Sequence, residues 1–290
     1  MNYILENENW TVQIKSEGAE LCSVKNKKTD REYIWQADPE VWARHAPVLF
    51  PIVGRLKNDQ YRLEGKNYKM SQHGFARDRD FSLVEQEKLR ISLGLTADHQ
   101  TMEKYPFNFV LDISYQLKEN ELIVTYSVSN KDQQTMPFSI GAHPAFATPR
   151  IIDQQMQEYH LVFEQAETLD RHLIKDGLRT GETRALLENE HKLPLHPKLF
   201  EDDAIVFKGV QSKWVSLVVH SSGEKLVEMS VTGFPYLGIW QKEKAGFICI
   251  EPWLGVADNN DFEGELTEKE GIQLLESEQR FECSYSIKFH

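Results

Sequence analysis

Two adjacent stretches of alternating apolar and polar residues constrain the fold of this chain most strongly. Residues 109–117 and 121–129 each place apolar side chains at every second position, and Lys118, Glu119 and Asn120 separate the two stretches. Successive side chains on a β-strand point to opposite faces, so this alternation predicts two strands that each bury one face. The short polar connection predicts that they pair as an antiparallel hairpin.

The rest of the chain repeats this pattern as short predicted strands separated by turn signals. One short helix is predicted over residues 97–105, and residues 42–53 are predicted to form an ordered loop. No alternation of strands and helices, no linker and no fixed-period repeat is present, so residues 1–290 are predicted to form one all-β sandwich domain. Further strands are predicted at residues 10–14, 21–25, 81–84, 89–95, 159–163, 204–207, 214–220, 225–231, 236–240 and 280–289, and a hairpin at 61–68.

Charge and composition argue against several classes of partner. The net charge of −12 disfavours nucleic acid or an anionic membrane as the main partner. No apolar run approaches the roughly 18 residues that a membrane span needs, and the first residues do not resemble a secretion signal. Cys22, Cys249 and Cys283 lie in apolar surroundings without metal or redox spacing. We therefore expect reduced thiols and a cytoplasmic location.

One candidate catalytic group is a carboxylate at the predicted end of a strand. Ile248 and Ile250 alternate with Glu251, so the carboxylate points away from a core that contains the two isoleucines. Pro252 cannot donate a ladder hydrogen bond and is predicted to end the strand, with Trp253 directly after it. A carboxylate beside an aromatic ring suits a base that acts on a sugar. The alternative is a surface glutamate at the end of an edge strand.

A second predicted strand ends in the same way, at a histidine. Apolar residues alternate with small or polar ones over residues 138–143, and Pro144 directly follows His143. Glu251 and His143, each the last residue of a predicted strand before a proline, form a candidate acid–base pair. At neutral pH we expect Glu251 to be ionised and His143 to be partly protonated.

Candidate substrate-binding residues lie in a third region of the sequence, between residues 51 and 77. Gly54 allows a ligand to approach the backbone closely, and Arg55 and Asn58 offer donors to hydroxyl groups or to an anion. His73 is placed to donate to an oxygen, and Arg77 follows it in the stretch HGFAR. The alternative is a polar surface loop whose charges pair with the acidic residues Asp59, Asp78 and Asp80.

No motif indicates a metal, a nucleotide or a nucleophilic serine. The sequence lacks the G-x-G-x-x-G, Walker, G-x-S-x-G and H-E-x-x-H patterns. His191 and His196 lie in a charged segment whose spacing fits no zinc pattern, and we interpret them as solvated loop residues. We therefore expect neither a metal nor a cofactor.

Taken together, these stretches resemble the aldose 1-epimerase (galactose mutarotase) superfamily. The resemblance rests on four motifs in order: GR-x-x-N from Gly54, HGFAR from His73, a His-Pro at His143 after an apolar strand, and the late strand-borne Glu251. Each motif alone is weak, but four in this order are specific, and they span most of the chain. The resemblance is closest to bacterial mutarotase-like proteins associated with lactose utilisation.

The resemblance implies a large antiparallel β-supersandwich with few short helices, an open sugar cleft and no metal or cofactor. It implies that Glu251 takes the proton of the anomeric hydroxyl while His143 protonates the ring oxygen. The family's second histidine and guanidinium fall on His73 and Arg55. Its sugar-binding aspartate falls on Asp202, with Asp203 adjacent. The residues themselves add Asn58, Arg77 and Trp253 as substrate-binding candidates.

The identity of the sugar stays open at this point. Asp59 stands where an arginine is usual in the best-known members, and the HGFAR form is shared with the hexose-6-phosphate epimerase branch. A free aldose is favoured by the acidic residues Asp59, Asp202 and Asp203, whereas arginines could hold a phosphate bidentately. A carbohydrate-binding sandwich without catalysis is a further alternative, which the presence of both His143 and Glu251 disfavours.

Overall fold

Antiparallel strands make up most of the chain in a computed structural model, which describes residues 1–148, 156–243 and 245–290. The described residues contain one α-helix, α1 (His99–Lys104), within the predicted helical stretch. The prediction of an all-β fold with few short helices is confirmed. The strands are β1 (Asn2–Glu6), β2 (Trp10–Lys15), β3 (Leu21–Asn26), β4 (Val48–Leu49), β5 (Gln60–Leu63), β6 (Lys66–Lys69), β7 (Ser82–Gln86), β8 (Arg90–Thr96), β9 (Phe109–Lys118), β10 (Glu121–Asn130), β11 (Met136–Phe138), β12 (Ile140–Ala142), β13 (Ala145–Ala147), β14 (Tyr159–Lys175), β15 (Leu178–Pro194), β16 (Ile205–Lys208), β17 (Trp214–Val219), β18 (Lys225–Ser230), β19 (Tyr236–Trp240), β20 (Phe247–Leu254), β21 (Gln273–Leu275) and β22 (Arg280–Phe289).

Most of these strands belong to one large antiparallel sheet. Its order is β4-β12-β20-β19-β16-β14-β17-β18-β22-β10-β9-β8-β7, with β13 also paired to β20 and β15 to β14. Smaller sheets consist of β1-β2-β3, of β11-β21 and of β5-β6. The hairpin that the sequence predicts most clearly is β9-β10, in which Lys118 pairs with Glu121 across the turn. The hairpin at 61–68 is β5-β6, turning at Glu64 and Gly65, both of which have positive φ.

The two faces of β20 have different surroundings, as the alternation of its side chains requires. Ile248 and Ile250 are buried in the main hydrophobic core. The opposite face contributes Phe247 and Cys249 to one small cluster and Trp253 to another. Glu251 lies on that second face, between the two small clusters. The predicted direction of its side chain, away from the isoleucines, is therefore confirmed.

The prediction that Pro252 ends this strand is wrong. β20 continues to Leu254, and Pro252 pairs with Leu237 of β19. On its other side, β20 pairs with β13 at residues 247–249 and with β12 at residues 253–254, so no ladder is formed opposite residues 250–252. A residue without an N–H group is accommodated where the neighbouring ladder is interrupted.

The sequence also predicted too little strand between residues 159 and 194. The structure has two 17-residue strands there, β14 and β15, joined by a tight turn at Asp176 and Gly177. His191 is exposed, as expected, but it lies within β15 and not in a loop. The charged, mostly exposed face of β15 hides the strand pattern because few apolar positions mark it, of which Leu187 and Leu193 are buried.

Buried ion pairs fix the loop that follows β20. Lys269 donates to the carbonyl of Val256 and to Asp258 Oδ1, both at 2.6 Å, and both side chains of this pair are almost fully buried. Arg179 of β15 donates from Nε to the carbonyl of Ala257 at 2.9 Å. The loop is thereby tied to two distant parts of the chain. No described helix has the length and apolar character to cross a membrane.

We predict that Lys269→Met destabilises the protein by about 3–5 kcal/mol, because the Asp258 carboxylate would then remain buried without its cation. The measurement is the free energy of unfolding in urea. The matched control is Lys25→Met, which removes one partner of the exposed pair with Asp30 and should leave the unfolding midpoint nearly unchanged. Equal, small effects of the two substitutions would contradict the role assigned to the buried pair.

Candidate functional site

The interruption of the ladder beside β20 brings the two predicted catalytic residues together. His143 and Pro144 form the break between β12 and β13, opposite the middle of β20. In that break, His143 Nε2 lies 3.3 Å from Glu251 Oε2. Both carboxylate oxygens of Glu251 and Nδ1 of His143 are buried and have no hydrogen-bond partner among the described residues. The pair is therefore held by backbone geometry and packing, with its polar atoms available to a ligand.

The pair lies at one wall of a cleft with a volume of about 450 Å³. A cleft of this size matches a small polar molecule such as a monosaccharide. Polar and aromatic side chains from separate parts of the chain line it: Trp42, Gln72, His73, Arg77, His143, Asp203, Trp240, Lys242, Glu251 and Trp253. Five of the predicted site residues thus share one cleft: His73, Arg77, His143, Glu251 and Trp253.

Burial changes the protonation expected for the pair. Removal from water raises the pKa of Glu251 well above its ordinary value. Burial also lowers the pKa of His143, to about 3. Both shifts run against the expectation of an ionised glutamate and a partly protonated histidine, because burial in the unliganded cleft favours the neutral form of each group. The Glu251 carboxyl lies 3.3 Å from an imidazole nitrogen of His143.

Indole rings enclose the histidine and cover the sheet beside it. The ring of Trp42 stacks on His143 at a centroid distance of 5.1 Å, and Trp240 contacts His143 edge-on at 5.5 Å. Trp253 of β20 donates from Nε1 to the carbonyl of Ala142 on β12 at 3.1 Å, and this hydrogen bond fixes the orientation of its ring. Such rings offer flat apolar surfaces to the C–H face of a sugar and fix the orientation of His143.

His73 reaches the cleft because the backbone around it is unusual. It has a positive φ of 67°, and Gly74 follows with a φ of 73°. A Cβ atom at Gly74 would lie 2.1 Å from the carbonyl oxygen of Phe50, so only glycine fits there. His73 Nδ1 accepts a hydrogen bond from the Gly54 N–H at 3.1 Å, which leaves Nε2 to carry the proton of the neutral ring. Its ring meets His143 at right angles, 5.7 Å away.

The predicted arginine and asparagine of the GR-x-x-N motif lie outside the cleft. Arg55 forms a bidentate pair with Asp59, with both N–O distances at 2.8 Å, and donates to the carbonyl of Asp176. Asn58 is exposed in a short turn with a positive φ. Neither side chain is among those that line the cleft. Their substrate-binding roles stay predictions.

Positive charge in the cleft comes from other residues. Arg77 lines the cleft and donates to the carbonyl of Gln72 at 2.7 Å. Its buried Nε has no hydrogen-bond partner among the described residues and lies 4.0 Å from Asp78 Oδ2. Burial lowers its pKa to about 10, so the guanidinium remains charged at neutral pH. Lys242 lines the cleft as well and donates to the carbonyl of Val41. Arg44 lies beside this group, paired with Asp78 at 2.8 Å.

Of the two adjacent aspartates, Asp203 lines the cleft and Asp202 does not. Asp202 is exposed and pairs with Arg184 at 3.2 Å. Asp203 adopts a positive φ of 70°, and its Oδ1 accepts from the Ala204 N–H at 2.7 Å. The two residues are adjacent in sequence, and the positive φ of Asp203 turns this residue toward the cleft.

Sequence reasoning missed Trp42, Trp240 and Lys242. Trp42 belongs to a segment that was expected to be an ordered loop, and Trp240 ends the predicted strand at 236–240. The available signal was the tryptophans themselves, because large aromatic rings at strand ends and in loops often border ligand sites. Their assignment to one cleft requires the pairing of distant segments.

The comparisons with known proteins agree with this architecture. The family model for aldose 1-epimerase matches residues 1–267. Protein LacX of Lactococcus lactis subsp. lactis is 34% identical over 278 residues, which is 92% of each chain. A galactose mutarotase related enzyme from Lactobacillus acidophilus has a TM-score of 0.95 at 37% identity, covering 100% of this chain and 97% of that one. A galactose mutarotase-like protein from Lactobacillus casei has a TM-score of 0.94 at 32% identity, with both chains fully covered.

The family model and the galactose mutarotase-like structures identify an isomerase of the mutarotase type. This chain belongs to the aldose 1-epimerase family. The family acts on sugars, and the resemblance inferred from the four sequence motifs is confirmed.

We predict that Gly238→Ala displaces Trp253 from its position beside Glu251. A Cβ atom at Gly238 would lie 2.5 Å from Trp253 Cζ2, and overpacking of this kind costs about 1–3 kcal/mol. Near-ultraviolet circular dichroism should report the moved indole, and urea unfolding the lost stability. The control is Gly246→Ala, whose Cβ would be 3.7 Å from its nearest neighbour. If both variants match the wild type, the tight contact does not position Trp253.

Proposed function

We propose that this protein interconverts the α and β anomers of a hexose, with Glu251 as the base and His143 as the acid. The proposal rests on one observation above all: Glu251 Oε2 and His143 Nε2 lie 3.3 Å apart, buried, and otherwise unpartnered at the wall of the cleft. If this buried pair had only a structural role, its polar atoms would be expected to form hydrogen bonds with neighbouring residues. Atoms left without partners suit a ligand that brings its own hydroxyl groups.

The proposed reaction needs two proton transfers at neighbouring oxygens. Glu251 takes the proton of the anomeric hydroxyl while His143 delivers a proton to the ring oxygen. The bond between C1 and the ring oxygen breaks, and C1 becomes the aldehyde carbon. After rotation about the C1–C2 bond, the two transfers run in reverse and close the ring on the other face. Because both oxygens are attached to C1, the acid and the base must lie close together, as these two residues do.

The protonation of Glu251 and His143 in the absence of sugar is compatible with these roles. One proton shared between Glu251 and His143 moves from the carboxyl to the imidazole when the sugar binds, which produces the carboxylate base and the imidazolium acid. Hydroxyl groups of the sugar stabilise this charged form by hydrogen bonds that the empty cleft lacks. His73 and Asp203 line the same cleft and are the proposed partners of further hydroxyls.

We predict that Glu251→Gln and His143→Asn each lower the mutarotation rate by at least roughly 100-fold, since each removes one proton-transfer group. The measurement is polarimetry of freshly dissolved α-galactose or α-glucose. His160→Asn is a matched control, because His160 has the same 8% exposure as His143 but lies on β14, outside the cleft. A rate near that of the wild type in a folded Glu251 or His143 variant would remove that residue from the mechanism.

A hexose 6-phosphate is a second candidate substrate, and a specific observation favours it. Of the three acidic residues that favoured a free sugar, only Asp203 lines the cleft, because Asp59 is paired with Arg55 and Asp202 with Arg184. Arg77 and Lys242 line the same cleft with positive charge. A phosphate could accept from Arg77 Nε, which has no hydrogen-bond partner among the described residues. We nevertheless propose the free hexose, since Arg77 already donates to the Gln72 carbonyl and Lys242 to that of Val41.

We predict that kcat/KM is higher for galactose than for galactose 6-phosphate, and that Arg77→Ala changes the galactose value by less than about tenfold, or 1.4 kcal/mol. The measurement compares both substrates in the wild type, in Arg77→Ala and in the control Arg55→Ala, whose arginine lies outside the cleft. A preference for the phosphate that collapses only in Arg77→Ala would establish the second candidate in place of the first.

A further inference from the structure

A third side chain with metal-binding chemistry lies against the proposed acid–base pair. Cys249 precedes Glu251 by two residues on β20, so both point to the same face of the sheet. Its thiol is fully buried and is not a disulfide partner. One ligand atom each from His143, Cys249 and Glu251 lie within 4.8 Å of one another. Ring opening of a sugar gives Cys249 no role.

The spacing of these atoms suits a tetrahedral ion. Zinc takes nitrogen and oxygen ligands at about 2.0–2.2 Å and sulfur at about 2.3 Å, so neighbouring ligands lie about 3.3–3.6 Å apart around a tetrahedral ion. The observed distance between His143 Nε2 and Glu251 Oε2 is 3.3 Å. The three ligand atoms lie within 4.8 Å of one another, so the sulfur is at most roughly 1 Å beyond this spacing.

The cluster also has the unsatisfied polar atoms that a bound ion would satisfy. Glu251 is 1% exposed, and neither of its carboxylate oxygens has a hydrogen-bond partner among the described residues. A buried polar group without a partner is costly, and a cation removes that cost. A hexose would do so with its hydroxyl groups. In the absence of the sugar, the same atoms are available to a metal.

The ligand types indicate which metal is suited to the cluster. Thiolate and imidazole ligands favour zinc and similar soft or borderline ions, whereas magnesium and calcium prefer oxygen atoms alone. Three protein ligands leave a fourth position, as in zinc sites that keep a bound water. Here that position faces the cleft, because His143 and Glu251 both line it, whereas Cys249 is not among the residues that do. The cleft is thus the path by which the ion arrives.

We propose that His143, Cys249 and Glu251 bind one Zn²⁺ ion at the place where the sugar oxygens bind, so that zinc inhibits the isomerase in competition with its substrate. On binding, the Cys249 thiol and the Glu251 carboxyl each lose a proton to the solvent and coordinate as thiolate and carboxylate. The ion occupies the lone pairs of His143 and Glu251 that the proton transfers require. In this proposal the zinc is an inhibitor and not a cofactor.

The first test measures binding without relying on turnover. Purified protein, freed of metal by a chelator, is titrated with ZnCl₂ by calorimetry and with CdCl₂ while the ultraviolet absorption of a cadmium–thiolate bond is followed. We expect one ion per chain and a thiolate band. Cys249→Ala should abolish the band and weaken zinc binding at least tenfold, a loss at least as large as the effect of removing a supporting residue at a metal site. Cys22→Ala, which removes another buried thiol on β3, should change neither.

The second test links binding to activity. Micromolar zinc should slow mutarotation by the wild type, excess galactose should protect it, and EDTA should restore the rate. Cys249→Ala should retain its basal rate and lose most of its sensitivity to zinc. Cys249→Ser serves as a second variant if the alanine variant unfolds at a lower temperature than the wild type.

Two outcomes would overturn the proposal. The first is the absence of a thiolate band in wild-type protein. The second is zinc binding and inhibition that are unchanged in both Cys249 variants, which would assign the ion to other residues. An inactive protein that still shows the Cys249-dependent band would count against the proposed reaction and in favour of the metal site. The two proposals can therefore fail separately.

Discussion

The interruption in the ladder beside β20 is the constraint on which the site depends. β12 and β13 pair with the two ends of β20 and leave its middle without a partner strand on that side. His143 occupies the interruption and faces Glu251. In a continuous ladder, a backbone segment would fill this space. The two prolines next to these residues, Pro144 and Pro252, both lack N–H donors and so fit a place where hydrogen bonding between strands stops.

The rest of the structure fixes the two sides of this interruption. On one side, the buried carboxylate of Glu20 accepts from the N–H groups of His45 and Ala46, both at 2.9 Å, and so holds the end of the segment that carries Trp42. On the other, the pair of Lys269 and Asp258 holds the loop after β20. Burying charges in this way is costly, and its benefit here is positional. The loops that border the cleft keep a fixed geometry because buried charged side chains anchor them.

Local pattern was sufficient to predict part of this arrangement. Alternation defined the hairpin of β9 and β10, and it gave the face of β20 on which Glu251 lies, because the period of a strand is independent of its neighbours. The end of β20 was mispredicted because the rule for proline assumes a continuous partner on both sides. Only residues 159–163 of β14 were predicted and β15 was missed, because the exposed face of β15 carries charge and its hydrophobic signal is weak.

The residues of the cleft that depend on distant pairing could not be predicted in the same way. Trp42, Asp203 and Trp240 come from three separate segments, and no spacing in sequence joins them. These residues become neighbours through the order of strands in the large sheet, which local propensity does not determine. The choice between Asp202 and Asp203 is of the same kind, because it depends on a single positive φ.

The protonation of the proposed catalytic pair could not be predicted from the sequence either, since it depends on burial. Burial in the empty cleft favours the neutral forms of Glu251 and His143. A ligand must therefore supply the hydrogen bonds that stabilise their charged forms. The protonation of the pair therefore depends on which ligand binds in the cleft. A hexose brings hydroxyl groups that both donate and accept, so it can move the proton and let it return. A metal ion only accepts electron pairs, and with the Cys249 sulfur beside them, the same two side chains would hold it and stop the transfer.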